Sequence, residues 1–251
     1  MERATYEIEA LVERDHWWFR GRRKLLSSLL ANLDPPLAPS ARVLDVGCGT
    51  GANGPVLTEY GREVIGIDAS SVPLGIAGTA QRGHTVRVRG DACSLPFASE
   101  SFDLVVALDV LEHLEDDHAA ARELFRVMRP GGALIVFVPA LRILWGLQDD
   151  VSHHVRRYDK DELRLVVLGA GLDIQRLTFF NTFLFPPILA ARLAMRVFPP
   201  RHLKSENEIG GKVANAILAH VFSWEVPVLE WLDFPVGVSL ACVARRPPRG
   251  G

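Results

Sequence analysis

The chain has 251 residues, 48% of them hydrophobic and 23% charged, which supports a packed core and excludes a disordered chain. A formal net charge of −2 leaves no basic field, so nucleic acid is excluded as a partner. Cys48, Cys93 and Cys242 are far apart and odd in number, without zinc spacing or a disulfide framework, which fits a reducing cytoplasm.

The opening stretch MERATYEIEALVERDHWWFRGRR carries acids throughout and lacks the apolar run of a signal peptide. Residues 2–33 read as helical, interrupted near DHWWFRG, and DPPLAPS (34–40) is a proline-rich linker. An alternation follows. ARVLDV (41–46) reads as a buried strand, Ala52 to Tyr60 as a helix, EVIGID (63–68) as a strand and 70–82 as a helix. TVRVR (85–89) and FDLVVAL (102–108) are the next strands. Residues 111–129 carry Leu111, Leu114, Ala121, Leu124 and Met128 at helical spacing, and RPGG then turns the chain into ALIVFVP. In YDKDELRLVVLGAG, Asp159 and Glu162 predict a capping box, with Gly169 or Gly171 as the stop. LDIQRLTF (172–179) and PVGVSLACVAR (235–245) are strands, separated by an apolar, proline-interrupted insertion. The expected organisation is a helical lid and linker (1–39), a core (40–180), a helical insertion (181–234), and a last strand with a frayed tail (235–251).

Alternating strands and helices predict an α/β fold, a parallel sheet covered on both faces. Such sheets bind ligands beyond the carboxyl ends of their strands. The stretches to inspect are Asp45–Gly51, Asp68, Asp91, Leu108–His113 and Pro139 onward. LDVGCGTGANG (44–54) supplies a glycine loop at the first strand exit, where absent side chains let backbone approach a ligand. No Gly-Lys-Ser/Thr follows, which excludes a P-loop. Gly47, Gly49 and Ala52 with Asp68 also fit a dinucleotide fingerprint, so an NAD(P)-dependent oxidoreductase is the competing reading. Asp45 in the strand disfavours it, because a pyrophosphate has no use for a carboxylate there whereas an ammonium does.

LDVGCGTG, VIGIDAS, GDACSLPF and FDLVVALDVLEHL with LFRVMRPGG resemble, in order and spacing, the motifs of the class I S-adenosylmethionine-dependent methyltransferases. HWWFRGRRKLL and HHVRRYDKDEL resemble a bacterial subgroup of that family. The resemblance covers roughly residues 40–180 and implies a Rossmann-like, seven-stranded, mostly parallel sheet with an antiparallel last strand. It also implies roles. Gly47, Cys48 and Gly49 would present backbone to the methionine part of the cofactor, and Asp45 would orient its ammonium, directly or through water. Asp68 would take both ribose hydroxyls, with Ala69 against the adenine. Asp91 would accept from the adenine amine with Ala92 alongside, and Leu108 would offer its carbonyl. The product would be S-adenosylhomocysteine.

A hydroxyl acceptor needs a base. DDVSHHVRRY (149–158) offers His153 or His154, with Tyr158 a further catalytic candidate, and Arg156 and Arg157 to hold an anionic acceptor. The alternative is that these residues tie down the loop. His113 in LEHLEDDH is placed near the site by the resemblance. A metal held by Asp149, Asp150 and His154 is not required by the spacing, so none is expected. In DHWWFRGR, Trp17 and Trp18 would cover the site and Arg20 or Arg22 reach a carboxylate; the alternative is packing on the sheet edge. The insertion is too interrupted by Pro186, Pro187, Arg192 and Arg196 to span a membrane, and is expected to cap the acceptor. A dimer surface and an interfacial helix are its alternatives, contact with a membrane surface being disfavoured. The expected function is methyl transfer, O-methylation favoured, to a small specialised or cell-envelope metabolite by a cytoplasmic monomer or homodimer. The remaining alternative is a non-catalytic adenosylmethionine-binding protein.

Overall fold

A computed structural model describes residues 13, 15–76, 83–197 and 211–249. Seven strands form one sheet: β1 (Arg42–Val46), β2 (Glu63–Asp68), β3 (Val86–Arg89), β4 (Phe102–Leu108), β5 (Met128–Pro139), β6 (Asp173–Phe180) and β7 (Ser239–Arg245). Their order is β3-β2-β1-β4-β5-β7-β6. β7 runs antiparallel to both β5 and β6, while the pairings from β3 through β5 are parallel. β1 lies between β2 and β4, so the winding reverses there and opens a crevice at the carboxyl ends. VLDV in β1 and LVVAL in β4 are buried throughout, as strands covered on both faces require.

The helices are α1 (Trp17–Ala31), α2 (Gly54–Leu57), α3 (Ser71–Ile76), α4 (Asp117–Val127), α5 (Leu147–Val151), α6 (Lys160–Gly169), α7 (Phe185–Val197) and α8 (Lys212–Leu229). The expected interruption at DHWWFRG is instead the start of α1, with His16 as its extended N-cap. Gly21 does not break this helix; it makes room for α8, since a Cβ there would sit 2.1 Å from Phe222 Cδ1. The earlier part of the expected N-terminal helix, and residues 77–82 of the one after β2, lie outside the described residues. The expected helix over 111–129 is split. A single 3-10 turn (Leu111–His113) comes first, then the Asp116 carboxylate caps the Ala119 amide at 2.7 Å and restarts the chain as α4. The Asp159–Glu162 capping box forms at α6, with Asp159 accepting from the Asp161 and Glu162 amides.

An aromatic stack joins the two segments outside the core to the sheet. Trp18 stacks on Phe180 at 6.1 Å, Phe180 on Phe222 at 6.0 Å, and Phe137 meets Phe180 at 5.0 Å. Each such pair contributes about 0.5–1.5 kcal/mol beyond its area. The stack pins α1 and α8 together over the ends of β5 and β6. Among the described residues no helix is long and apolar enough to cross a membrane.

Candidate active site

A cavity of about 730 Å³ opens at the carboxyl ends of the strands, walled by the glycine loop, α1, the β4 and β5 exits and α7. Gly47, Gly49 and Gly51 all have positive φ, 68°, 52° and 89°. A Cβ on Gly47 would meet Val110 Cγ2 at 2.4 Å, so conformation and space both demand glycine. A Cβ on Gly49 would meet nothing within 4 Å, so this backbone faces open cavity. The Gly47 and Cys48 amides donate to the Ile67 carbonyl at 2.8 and 3.0 Å. Asp68 fastens the loop, accepting from Gly49 N through Oδ2 and from Ser70 N through Oδ1, each at 2.9 Å. Burial pushes the Asp68 carboxyl up, against the pull of these two amides.

Cys48, Ala69, Asp91, Ala92 and Leu108 also line the cavity, Asp91 with Oδ1 accepting from its neighbour Cys93 N at 2.9 Å. Asp45 does not. It is 1% exposed, and its Oδ2 lies 2.8 Å from His84 Nε2. A direct contact with an ammonium in the cavity is not open to it: the strand aims this side chain into a pocket that Gly66 opens, where a Cβ would stand 2.9 Å from His84 Cδ2.

At the other end of the cavity, Asp109 (φ 57°) pairs with Arg22 of α1 at 2.5 Å, and the turn that follows sets Glu112 and His113 in the wall. Glu112 is 0% exposed and neither carboxylate oxygen has a hydrogen-bond partner. Burial first, and the nearby Asp109 charge second, hold its carboxyl well above the usual range. The His113 and His154 rings meet edge to face at 4.7 Å. Burial, then the neighbouring His154, lowers His113 to about 4, so it is neutral at pH 7. His154 Nδ1 lies 2.9 Å from Asp149 Oδ1. Asp149, 0% exposed, also accepts from Arg157 Nε and from the Gly146 amide, each at 2.8 Å. Burial raises its carboxyl, but the hydrogen bond from His154 and the Arg157 charge outweigh this and bring it to about 2.

Of the remaining sequence-predicted residues, Trp18, His153 and Arg157 reach the cavity wall. Arg157 is committed there, to Asp149 and to the Ala140 carbonyl, rather than open to an anionic acceptor. Three candidates need correction. Tyr158 is 2% exposed and its hydroxyl bonds Asp117 and the Leu111 carbonyl; burial pushes it far above its ordinary value. Arg156 bonds Asp117 and the carbonyls of Leu114 and Glu115, tying the loop down. Arg20 is exposed on α1 and is not in the wall, where Arg22 stands in its place.

Sequence reasoning missed Glu112 and Asn181, and it grouped Asp149 with His154 only as a metal set, not as a hydrogen-bonded pair. Asn181 is 0% exposed, lines the cavity, and leaves both amide atoms without a partner. A signal existed, since asparagine at a strand end tolerates the left-handed backbone it adopts here (φ 57°). Arg192, read as a charge that prevents a membrane span, instead ties α7 to the site through the Leu144 carbonyl and Asp149.

A family profile described as a methyltransferase domain matches residues 44–136. A probable S-adenosylmethionine-dependent methyltransferase of Mycolicibacterium smegmatis is 32% identical over 172 residues, 67% of this chain and 63% of that protein. A ubiquinone biosynthesis O-methyltransferase of Sinorhizobium medicae is 39% identical over 159 residues, 56% of this chain and 64% of that protein. The chain thus spans a little under two thirds of the length of these two relatives. The solved [4+2]-cyclase SpnF superposes with a TM-score of 0.59 at 26% identity, covering 90% of this chain and 81% of that one. The open glycine cradle, the acid at the β2 exit and the cavity between them fit an adenosyl cofactor. The matched domain, the strand order and these relatives assign this chain's core to the class I S-adenosylmethionine-dependent methyltransferase family.

Proposed function

We propose that this protein transfers a methyl group from S-adenosylmethionine to an oxygen of a small-molecule acceptor. The observation that carries the reading is one continuous cavity with the glycine cradle at one end and an aspartate-held histidine at the other. In this reading the Gly47–Gly49 backbone holds the methionine part, Asp68 takes the ribose hydroxyls, and Asp91 with Ala69 and Ala92 frames the adenine. Leu108 offers its carbonyl to the ammonium. When bound, the cofactor supplies an electrophilic methyl on a sulfonium.

His154 takes the acceptor's proton. Its Nδ1 side is fixed by Asp149, which leaves Nε2 for the acceptor and stabilises the imidazolium that forms. The acceptor oxygen bonds to the methyl carbon, and the carbon–sulfur electron pair returns to sulfur, giving S-adenosylhomocysteine. The neutral His113 and the left-handed His153 (φ 55°) complete the polar corner. Trp18, Leu184, Ile188 and Met195 wall the cavity with apolar surface, which suits an acceptor with an apolar body, such as a specialised or cell-envelope metabolite. Oxygen as the methylated atom is supported by the likeness to the Sinorhizobium O-methyltransferase. The likeness to a [4+2]-cyclase favours, as a second reading, a chain of this fold whose chemistry is not methyl transfer.

Calorimetric titration with S-adenosylmethionine, S-adenosylhomocysteine and NADH tests the cofactor reading. Micromolar binding of the first two and none of NADH is expected; binding of NADH alone refutes it. Formation of S-adenosylhomocysteine in an acceptor screen separates transfer from binding.

A further inference from the structure

We propose that Glu112, His113 and His154 form a site for a divalent transition-metal ion at the acceptor end of the cavity. The inference rests on the methyltransferase reading and names how its acceptor is activated. One ligand atom from each of the three residues lies within 4.8 Å of the others. Contraction of the widest separation by about 1.4 Å brings them to the spacing of tetrahedral ligands around one ion, with bonds near 2.1 Å.

Two further observations point to a cation. Glu112 is fully buried in the cavity wall with both oxygens unpartnered. The neighbouring acids have cations of their own, Asp109 in Arg22 and Asp149 in Arg157. A buried carboxyl group with no hydrogen bond on either oxygen is costly, and a bound cation would give it a partner. The histidines are also tethered from behind, as metal ligands usually are. His154 Nδ1 is held by Asp149, and His113 is hydrogen-bonded to the His153 backbone. Each imidazole then keeps one nitrogen for the ion.

Two imidazoles and one carboxylate suit zinc, manganese, iron or cobalt rather than calcium or magnesium. Three protein ligands leave positions open for an acceptor hydroxyl, whose proton coordination would release to solvent water. The resulting oxyanion attacks the methyl carbon as before. With the ion in place, His154 is a ligand and the ion replaces it as the activating group.

The test is titration of chelator-treated protein with Co²⁺, read by its visible d–d absorption, with calorimetric binding of S-adenosylhomocysteine measured on the same samples. A saturable band at one ion per chain is expected. His113→Ala, His154→Ala and Glu112→Gln should abolish it, and Asp149→Asn should weaken it about 10–100-fold, while S-adenosylhomocysteine still binds. Absence of the band, or a band unchanged in the variants that still bind S-adenosylhomocysteine, overturns the metal site and leaves the methyltransferase reading standing. Failure of the wild-type protein to bind S-adenosylhomocysteine overturns both.

Discussion

Replacing Asp68 by alanine removes the contact expected to anchor the cofactor. The Asp68 carboxylate is half-buried and already accepts the Gly49 and Ser70 amides, one on each oxygen. Each oxygen has a second lone pair for a ribose hydroxyl. A hydrogen bond to a charged group contributes about 1.5–3 kcal/mol. The lower figure applies here, because each oxygen is shared and the site opens to the cavity. Two such bonds amount to about 3 kcal/mol, a loss of roughly 100-fold in affinity. The freed amides lie beside the cavity, where water can replace the carboxylate, so the fold should survive. The assay is calorimetric titration with S-adenosylhomocysteine, with circular dichroism as the folding control. A natively folded Asp68→Ala protein that binds within about threefold of wild type would show that Asp68 only fastens the loop.

Gly47→Ala places a Cβ against Val110 Cγ2 in a left-handed conformation, so S-adenosylhomocysteine binding and thermal stability should both fall, by about 1–3 kcal/mol in stability. Adding Val110→Ala should restore part of the loss; no recovery would place the whole cost in the backbone. His154→Ala should lower the methylation rate about 100- to 10,000-fold with S-adenosylhomocysteine affinity unchanged, and equal rates would remove His154 from the chemistry. Asp149 is held from 3.8 down to about 2, so its contribution of about 2 kcal/mol is complete above pH 4 and is lost as pH falls through about 2. Acid-unfolding curves of wild type and Asp149→Asn should therefore converge between pH 4 and 2; parallel curves would contradict this assignment.

The layout of the fold was legible along the chain because it follows from local signals. The stretch FDLVVAL (102–108) was read as a strand and is β4 to the residue. Asp159 and Glu162 announced the start of α6 through a cap that needs only four consecutive residues. The same holds for the glycine loop, whose positive φ angles only glycine adopts freely. The misreadings have both local and distant causes: the helix expected over 111–129 is split by the local Asp116 cap, whereas at α1 a distant neighbour decides. The interruption expected near DHWWFRG is instead the start of α1, in which Gly21 leaves room for Phe222, about 200 positions later.

Side-chain roles at the site depended on tertiary structure. In HHVRRY the sequence offers five polar residues on equal terms, yet His154 turns to Asp149, while Arg156 and Tyr158 turn to Asp117 and close the loop from behind. Asp45 belongs to the motif that suggested an ammonium partner, but the space above Gly66 delivers it to His84. Glu112, His113 and His154 meet only because β4 and β5 are adjacent and both their exits open into one cavity. Most of the elements, their order and the glycine loop follow from the sequence alone, since these rest on periodicity, caps and φ angles set within a few residues. Tertiary structure alone decided which polar side chain faces the cavity and which is spent holding the loops. That choice depends on partners far away in the chain and on which buried polar groups find a hydrogen bond.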